Sequence, residues 1–474
     1  MISRPWLYFL LALTAIALLP WDPHGPFDAR DWSPLDGVHL DYPWSGVALE
    51  PLLAPAHALT GAPDFRIALV STVAWLLVLA MLAGALTGRG PWRRLGRSLA
   101  FGAVALGSAL LYVVFMALLH LPGWRLVADD PNLLVADLQT HTFGSHDGLV
   151  TAEQNLAWHR ARGYELIAIT EHNDPRGSFA MQALAHGDPA QPAVIAGVEV
   201  SAEEDEYLLG LGIDPQVGVL PWRGNQKEFA RKFIDHVHAQ GGAVVALAWK
   251  LEPRHVHKLA ALGLDGIELV NTGHPDIPDP VREAMLQVAA SHGVVPVAST
   301  DWHGWGGFSR TWTLVRGTDV KALGQAERAA WVIDRLRARD GATFIPVAAG
   351  YMGPPGLARA VFAPWVEAVR YAAELSPARV ASWWAWAVVL AALARALARR
   401  GWQAAPVIAA AAAMGVGAAV TWRAAALVGH FRADAGLEYA MEMGEPALWI
   451  GGLGVAAGLA AVWRLSARRR PRSG

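Results

Sequence analysis

Apolar runs long enough to cross a bilayer constrain this chain more than any other feature of its sequence. A spanning helix needs about 20 largely apolar residues. Six runs approach or exceed that length: Pro5–Leu19, Arg66–Leu86, Leu99–Leu121, Val380–Leu397, Ala404–Thr421 and Ala447–Trp463. Charged residues make up only 17% of the chain, against roughly 25% in soluble proteins. The pattern predicts an integral membrane protein with three spans before and three after a water-soluble insert, residues 130–345.

The first apolar run, within residues 1–20, is the shortest of the six and admits two interpretations. Arg4 precedes an apolar core, as in a signal peptide. Pro20, Trp21 and Asp22 follow without a small-residue cleavage pattern, which favours an uncleaved helix or signal anchor. Residues 21–65 come next and are rich in proline. They either cap the insert or simply link two spans.

Arginine clusters predict the orientation of the chain in the membrane. Three stretches at the ends of spans carry arginine without acidic residues: Arg89, Arg93, Arg94 and Arg97; Arg395, Arg399 and Arg400; and Arg464, Arg468, Arg469, Arg470 and Arg472. If the spans alternate, all three lie on one side, and positive residues remain on the cytoplasmic side. We therefore expect an extracytoplasmic insert and a cytoplasmic C-terminus, in a bacterial inner or plasma membrane.

The absence of cysteine narrows the chemistry available to the insert. It excludes disulfides, cysteine-based zinc sites and thiol nucleophiles, and leaves His, Asp and Glu as the strong metal ligands. The formal net charge is −2, so the composition gives no indication of a surface that binds nucleic acid.

Short runs rich in Val, Ile, Leu and Ala alternate with amphipathic stretches in the insert, which predicts βα units. The expected strands are Leu133–Asp137, Leu166–Thr170, Ala193–Val200, Tyr207–Gly212, Ala243–Ala248, Gly266–Val270 and Val294–Ser299. The expected helices include Thr151–Arg162, Phe229–Gln240 and Pro280–His292. Repeated units of this length favour a closed or nearly closed α/β barrel, with its active site at the carboxyl ends of the strands.

Acids and histidines follow four of these strands. The residues are Asp137, Gln139, His141, His146 and Asp147 after the first; Glu171 and His172 after the second; Glu199 in the third; and Asp301 and His303 after the last. Imidazole and carboxylate groups together suit zinc, manganese or iron. Five other histidines are expected to have no partner: His120, His159, His186, His238 and His292.

In these motifs the insert resembles a PHP domain (polymerase and histidinol phosphatase family), a distorted (β/α)7 barrel. The resemblance covers nearly the whole insert and none of the spans. Such domains carry an HxH motif, a TDH-like triplet, a GxE strand, two single histidines and a closing DxH. Three positions depart from the pattern: Gln139 replaces the first histidine of HxH, and Tyr207 and Trp249 replace the two single histidines.

The resemblance implies how the ligands are grouped. One metal site keeps His141, Glu199 and Asp301, with Gln139 as a weak oxygen ligand. A second keeps His172, His303 and either Asp147 or His146. The third site loses two histidines, so we expect two divalent metals at most. His255 and His257 are rival ligands because they lie close to Lys250 in the sequence.

Members of this family generally hydrolyse phosphate esters, so the resemblance implies a membrane-anchored phosphoesterase. Its substrate would be a phosphorylated small molecule, a lipid or a component of the cell envelope. Asp301, His303 or His146 could deliver a proton to the leaving group, and Lys250 could supply positive charge. Arg176, Arg254 and Arg310 are weaker candidates for phosphate contact. Two alternatives stay open: a degenerate barrel that binds a ligand or partner without turnover, and a metal-dependent amide or ester hydrolase.

Overall fold

The computed structural model describes residues 3–19, 25–201, 207–216, 228–247, 252–274, 277–307, 309–434 and 437–467, and it combines a mixed, curled sheet with long apolar helices. The strands are β1 (Pro26–Asp28), β2 (Val38–Asp41), β3 (Arg125–Ala128), β4 (Leu133–Thr140), β5 (Leu166–His172), β6 (Ala193–Ser201), β7 (Tyr207–Leu211), β8 (Ala243–Leu247), β9 (Gly266–Asn271), β10 (Val295–Ser299), β11 (Thr311–Arg316) and β12 (Phe344–Ala349). The helices are α1 (Arg4–Ala17), α2 (Trp44–Ala48), α3 (Glu50–Thr60), α4 (Phe65–Thr87), α5 (Pro91–Leu118), α6 (Ala152–Ala161), α7 (Arg176–Ala185), α8 (Phe229–Ala239), α9 (Pro253–Leu262), α10 (Asp279–His292), α11 (Gln325–Arg337), α12 (Leu357–Val361), α13 (Ala363–Ala373), α14 (Pro377–Arg399), α15 (Ala404–Ala433) and α16 (Glu438–Ala467).

Ten of these strands form the large sheet, in the order β1-β12-β11-β4-β5-β6-β7-β8-β9-β10. The seven strands predicted from the sequence are β4 to β10. Their nearly continuous burial matches the apolar runs that identified them. The sheet is less regular than a uniform βα repeat, because β7 is antiparallel to both of its neighbours and β11 is antiparallel to β4.

The sheet curls until its last strand, β10, reaches β11. Thr313 on β11 exchanges two hydrogen bonds with Ala298: its hydroxyl accepts from the amide at 2.8 Å and donates to the carbonyl at 2.7 Å. The Thr311 hydroxyl donates to the Ser299 carbonyl at 2.5 Å. Side chains thus join two strands that share no backbone ladder, and the carboxyl ends of β4, β5 and β6 converge near the end of β10.

Among the described residues, five helices are long and apolar enough to cross a membrane: α4, α5, α14, α15 and α16. The first apolar run forms α1, which has 14 residues and therefore spans only about 21 Å, less than a hydrocarbon core of ~30 Å. Helix α16 begins at Glu438, before the last apolar run, Ala447–Trp463, and therefore extends that run toward α15.

Residues 25–65 are folded against the sheet and the helices rather than forming a simple link. Strand β1 pairs with β12 and extends the large sheet, while β2 pairs with β3. The Arg282 guanidinium donates to the Ala29 and Arg30 carbonyls at 2.7 and 2.8 Å. The curled sheet therefore includes chain from both sides of the predicted insert, and β12 continues to Ala349.

Candidate metal centre

The chain after β10 runs beside the end of β4, and this pairing places two groups of polar side chains together. The Asp301 amide donates to the Gln139 carbonyl at 3.0 Å, and the His141 amide donates to the Trp302 carbonyl at 2.9 Å. Asp301 has a φ of 53°, a left-handed conformation that is unusual outside glycine but better tolerated by Asp. The local backbone thus turns the Asp301 side chain toward His141.

The first group of donor atoms surrounds Nε2 of His141. This atom lies 3.1 Å from Asp301 Oδ1 and 3.3 Å from Glu199 Oε2. The Gln139 side-chain amide donates to Glu199 Oε2 at 2.7 Å. Its carbonyl oxygen, Oε1, is buried and accepts no hydrogen bond from the described residues. Three residues expected to share one metal are therefore adjacent, and Gln139 brings an unused oxygen to the same place.

The second group lies beside the first and centres on Asp147. Its Oδ1 atom is 3.3 Å from His172 Nε2 and 3.4 Å from His303 Nε2, and the two Nε2 atoms are 3.3 Å apart. His146 is mostly exposed, with Nδ1 3.9 Å from Asp147 Oδ1. Of the two alternatives for this site, Asp147 has the closer contacts with both histidines.

The groups are coupled by short distances and by charge. The rings of His141 and His303 stack with centroids 4.0 Å apart. Burial opposes the charged form of His141, but its hydrogen bonds with Asp301 and Glu199 raise its pKa well above the usual value. Burial likewise opposes ionisation of Asp147 and Asp301, yet the surrounding histidines lower the pKa of both carboxyls. Buried ionised carboxylates of this kind attract a cation.

Ser145 fixes the tautomer of His141. Its hydroxyl donates to Glu171 Oε2 at 2.6 Å and lies 3.0 Å from His141 Nδ1. Since the single hydroxyl proton is used on Glu171, the serine oxygen accepts from Nδ1–H of His141. The proton that Asp301 and Glu199 stabilise therefore lies on Nε2, and its loss would leave the Nε2 lone pair for a metal ion. Partners of this kind orient metal-binding histidines in known metal sites.

A second buried pair, Asp137 and His159, supports the site from behind. His159 Nε2 lies 3.0 Å from Asp137 Oδ2, and the Thr300 amide donates to Asp137 Oδ1 at 3.0 Å. The pair fixes the turn that carries Asp301. The expectation that His159 has no partner is wrong, and so is the same expectation for His238, which lies 2.6 Å from Asp265. In each case the partner is distant in sequence, and only folding brings it close.

Two further residues at the site were not singled out in the sequence. His274 Nε2 lies 3.6 Å from Asp301 Oδ2. Glu268 is fully buried on β9, and burial together with the Asp301 charge raises its pKa well above the usual value. His274 could have been identified from the sequence, because it follows the end of β9 by three residues. Glu268 lies within the strand, where an isolated acid gives no such signal.

Several other candidates lie elsewhere. Lys250 and Trp249 fall outside the described residues, so the structure does not test the charge expected from Lys250. His255 caps α9 through Glu252, and His257 contacts His292 at 3.0 Å; among the described residues, neither belongs to a group that could hold a metal ion. Arg310, by contrast, lines the cavity beside the donor groups, but its guanidinium is buried and donates to the Ala62 and Ala349 carbonyls.

The side chains of Arg176 and Arg254 are mostly exposed and pair with Asp174 and Glu252. These two arginines therefore show the ordinary behaviour of surface residues.

The residues present suit one or two divalent transition metals. Ligand atoms of His141, Glu199 and Asp301 all lie within 4.8 Å of one another, as do those of His141, His172 and His303, and those of His146, Asp147 and His172. Mixed imidazole and carboxylate donors are typical of zinc, manganese and iron sites. The unused oxygen of Gln139 and the ionised carboxylates fit the same conclusion.

No protein-family model matches the chain, and no curated protein matches it. Among solved structures, it is similar to a proposed metal-dependent phosphoesterase from Bifidobacterium adolescentis (18% identity, 36% of this chain, 88% of that chain, TM-score 0.30). It is also similar to an amidohydrolase from Chromobacterium violaceum with bound sulfate and no metal (18% identity, 35% of this chain, 87% of that chain, TM-score 0.29). A third similar structure is PsfC from Pseudomonas syringae (11% identity, 52% of this chain, 100% of that chain, TM-score 0.31). Likeness at this level carries no conclusion about activity.

Proposed function

We propose that this protein is a membrane-anchored, metal-dependent phosphoesterase with a PHP-type site on the extracytoplasmic side. The observation that carries the proposal is the adjacency of two donor groups, His141–Glu199–Asp301 and Asp147–His172–His303. Two metals held by such groups would place positive charge on phosphate oxygens and lower the pKa of water. The motif resemblance favours phosphate esters, mono- or diesters, over other substrates of metal hydrolases.

The protein side chains have distinct parts in this proposal. His141, Glu199 and Asp301, with the Gln139 oxygen, would hold one cation, and Asp147, His172 and His303 the other. His303 is oriented by Nδ1, which donates to the Asp301 carbonyl at 2.8 Å, so that Nε2 faces Asp147 and His172. Burial and the neighbouring His141 charge lower the pKa of His303, and a neutral imidazole is the form that binds metal.

The orientation rests on the arginine clusters and on where the sheet meets the helices. The sheet domain contacts α5 near its end, where the Gly306 amide donates to the Ala117 carbonyl at 2.6 Å. Arg423 on α15 donates to the Leu149 carbonyl at 2.6 Å. The basic segments follow the opposite ends of α4 and α14. The positive-inside rule then favours an extracytoplasmic sheet domain.

The test uses the full-length protein in detergent and the variant Asp301→Ala. We expect hydrolysis of an aryl phosphate or a bis-aryl phosphate to fall by at least roughly 100-fold, the loss that even supporting residues of metal sites can cause. Elemental analysis should find no more than two metal equivalents in the wild type, and fewer in the variant. Asp334→Ala is the control, since Asp334 is an exposed acid on α11 and should alter neither quantity.

Other outcomes would decide against the proposal. Metal binding with no turnover of any ester would indicate a binding domain that has lost catalysis. Turnover of carboxylic esters or amides, without turnover of phosphates, would indicate the other class of hydrolase. Three metal equivalents, or none, would contradict the two-site arrangement.

A further inference from the structure

A cavity of about 450 Å³ opens beside the candidate metal centre, within the range of roughly 300–1,000 Å³ that holds small organic ligands. Asp147, Asp301 and His303 line one of its walls, together with His274. A single phosphate group needs only a fraction of this space. The remaining volume must therefore suit whatever is attached to the phosphate.

Much of the remaining lining is apolar, and five of its residues belong to membrane helices. Phe65 and Leu69 come from the first two turns of α4, and Val113, Met116 and Ala117 from the last two turns of α5. These two helices are antiparallel neighbours and candidate spans. The wall formed by these five residues is partly open, since the Phe65 side chain is 37% exposed. The apolar side of the cavity is thus continuous with surfaces that face lipid.

Helices α12 and α13 indicate where the membrane surface lies relative to this wall. They expose large apolar side chains: Leu357, Val361, Phe362, Trp365, Val366 and Val369. Trp75 and Ser71 on α4 both donate to the Val361 carbonyl, at 2.8 and 2.9 Å. An exposed apolar face beside a spanning helix is typical of a segment that lies in the membrane interface.

This interfacial level is close to the cavity. Ser71 is six residues beyond Phe65 on α4, a rise of about 9 Å. The apolar wall therefore lies at the edge of the bilayer, where headgroups meet acyl chains. A water-soluble phosphate would leave that wall exposed to water, whereas a hydrocarbon chain would cover it.

We propose that the substrate is a membrane lipid phosphate, with its phosphate at the metal-side wall and its hydrocarbon chain between the ends of α4 and α5. This proposal rests on the proposed phosphoesterase function and adds the substrate class. The side chains of the metal centre bind the phosphate, and the ends of α4 and α5 bind the hydrocarbon chain. The protein therefore discriminates lipids from soluble esters with the same headgroup.

The first test compares esters that share a headgroup. Phosphatidic acid is paired with glycerol 3-phosphate, and phosphatidylglycerol with glycerophosphoglycerol, using the full-length protein in nanodiscs. For at least one pair we expect kcat/KM for the lipid to exceed that for the soluble ester by at least 100-fold. Equal values would overturn the lipid proposal and leave the phosphoesterase function standing.

The second test fills the apolar wall. Leu69→Trp on α4 and Val113→Trp on α5 should each raise KM for the preferred lipid by roughly 10-fold or more, and by much more than KM for its soluble partner. The matched controls are Val70→Trp and Val104→Trp on the same helices, because both valines are 70% exposed and neither lines the cavity. Equal effects on both substrates, or equal effects of the controls, would contradict a chain-binding wall.

A binding measurement separates failure of the substrate class from failure of the function. The probe is phosphatidic acid with a diazirine in one acyl chain, added to Asp301→Asn protein in nanodiscs. Labelling should fall on residues 65–69 or 113–117, and excess phosphatidic acid should suppress it where glycerol 3-phosphate does not. Such labelling without turnover by the wild type would support the lipid site and refute the phosphoesterase. Labelling spread evenly over the outer helix faces would refute the lipid site.

Discussion

At the scale of single residues, Ser145 connects both donor groups to Glu171. Its hydroxyl accepts from His141 and from the His172 amide while donating to Glu171. Glu171 also accepts from the Thr142 amide at 3.2 Å. The Glu171 carboxylate therefore fixes the loop after β4 without contacting a ligand atom of the metal groups. Ser145, which is held by Glu171, in turn orients the His141 ring.

Removing the Ser145 hydroxyl should weaken metal binding without removing a ligand. In Ser145→Ala, His141 loses the acceptor for Nδ1–H, so we expect the metal dissociation constant to rise about 10- to 100-fold. Competitive titration with a chromophoric chelator measures it. Ser178→Ala is the control, because Ser178 is a buried serine whose hydroxyl donates to a backbone carbonyl, that of Gly197, at 2.7 Å. Identical affinities for Ser145→Ala and the wild type would show that Ser145 does not orient the ligand.

The residues that sequence could identify are those placed by a strand end. The sequence predicts that His141, His172, Glu199 and Asp301 lie close together, because acids and histidines at the carboxyl ends of strands converge whatever the exact register, and the structure places them so. The pairing of Asp137 with His159 could not be found in this way. It depends on how α6 packs against β4, and a histidine on an amphipathic helix looks like an ordinary surface residue.

At the scale of elements, two of the strands missed from the sequence, β1 and β11, are held by contacts that apolar composition does not indicate. Strand β11 contains Thr311 and Thr313, which are fully buried because their hydroxyls bond to Ser299 and Ala298. Strand β1 has only three residues and is stabilised by antiparallel pairing with the edge of β12. By contrast, α6 begins directly after Thr151, the first residue of the expected helix, with Thr151 and Gln154 bonded reciprocally. Residues adjacent in sequence are sufficient to predict the start of α6. Predicting β1 and β11 requires knowledge of contacts between residues that are distant in sequence.

Helix α3 is joined to α14 by a buried ion pair, which predicts acid sensitivity. Arg379 Nη2 lies 2.7 Å from Glu50 Oε1, which also accepts from the Tyr371 hydroxyl at 2.7 Å. Burial would raise the pKa of Glu50, but its hydrogen bonds with His57 and Arg379 lower it to about 2. Ionised Glu50 therefore stabilises the fold fully above its ordinary pKa of 4.5, and this contribution disappears as the pH falls toward 2.

The contribution of Glu50 amounts to about 3 kcal/mol from the linkage between pKa and stability. Glu50→Gln should lower the melting temperature at pH 7 by several degrees, and the difference from the wild type should shrink between pH 4.5 and pH 2. Thermal unfolding in detergent measures both quantities. Glu283→Gln changes an exposed acid on α10 and should leave the profile unaltered. A constant difference at every pH would contradict a role for the ionised carboxylate.

At the scale of the whole molecule, the absence of cysteine allows a direct measurement of orientation. Asp334→Cys places one thiol on the exposed face of α11, and Leu95→Cys places one in the basic segment while keeping every arginine. In intact spheroplasts we expect a membrane-impermeant maleimide to label Asp334→Cys, and to label Leu95→Cys only after permeabilisation. The reverse pattern would place the metal centre in the cytoplasm.

The sequence predicts a soluble insert between membrane anchors, whereas the structure builds one sheet from the insert and from chain on either side of it. Strand β12 extends beyond residue 345, and β1, from the segment before α4, covers its free edge. Arg310 also donates to the Ala62 carbonyl at 2.5 Å, which ties the sheet to the entry of α4. A fragment of residues 130–345 would lose these contacts and expose most of the β11 edge, which favours aggregation.

We therefore expect the 130–345 fragment to lack the cooperative thermal transition of the full chain and to be degraded faster by protease. Its metal affinity should fall as well, because the turn that carries Asp301 depends on β10 and β11 remaining joined. The full-length protein with Trp92→Ala, a change at an exposed residue outside the sheet, is the control for handling in detergent. A fragment that unfolds cooperatively with the full chain's metal content would show that the sheet closes without β1, and that the membrane helices contribute only the apolar wall of the cavity.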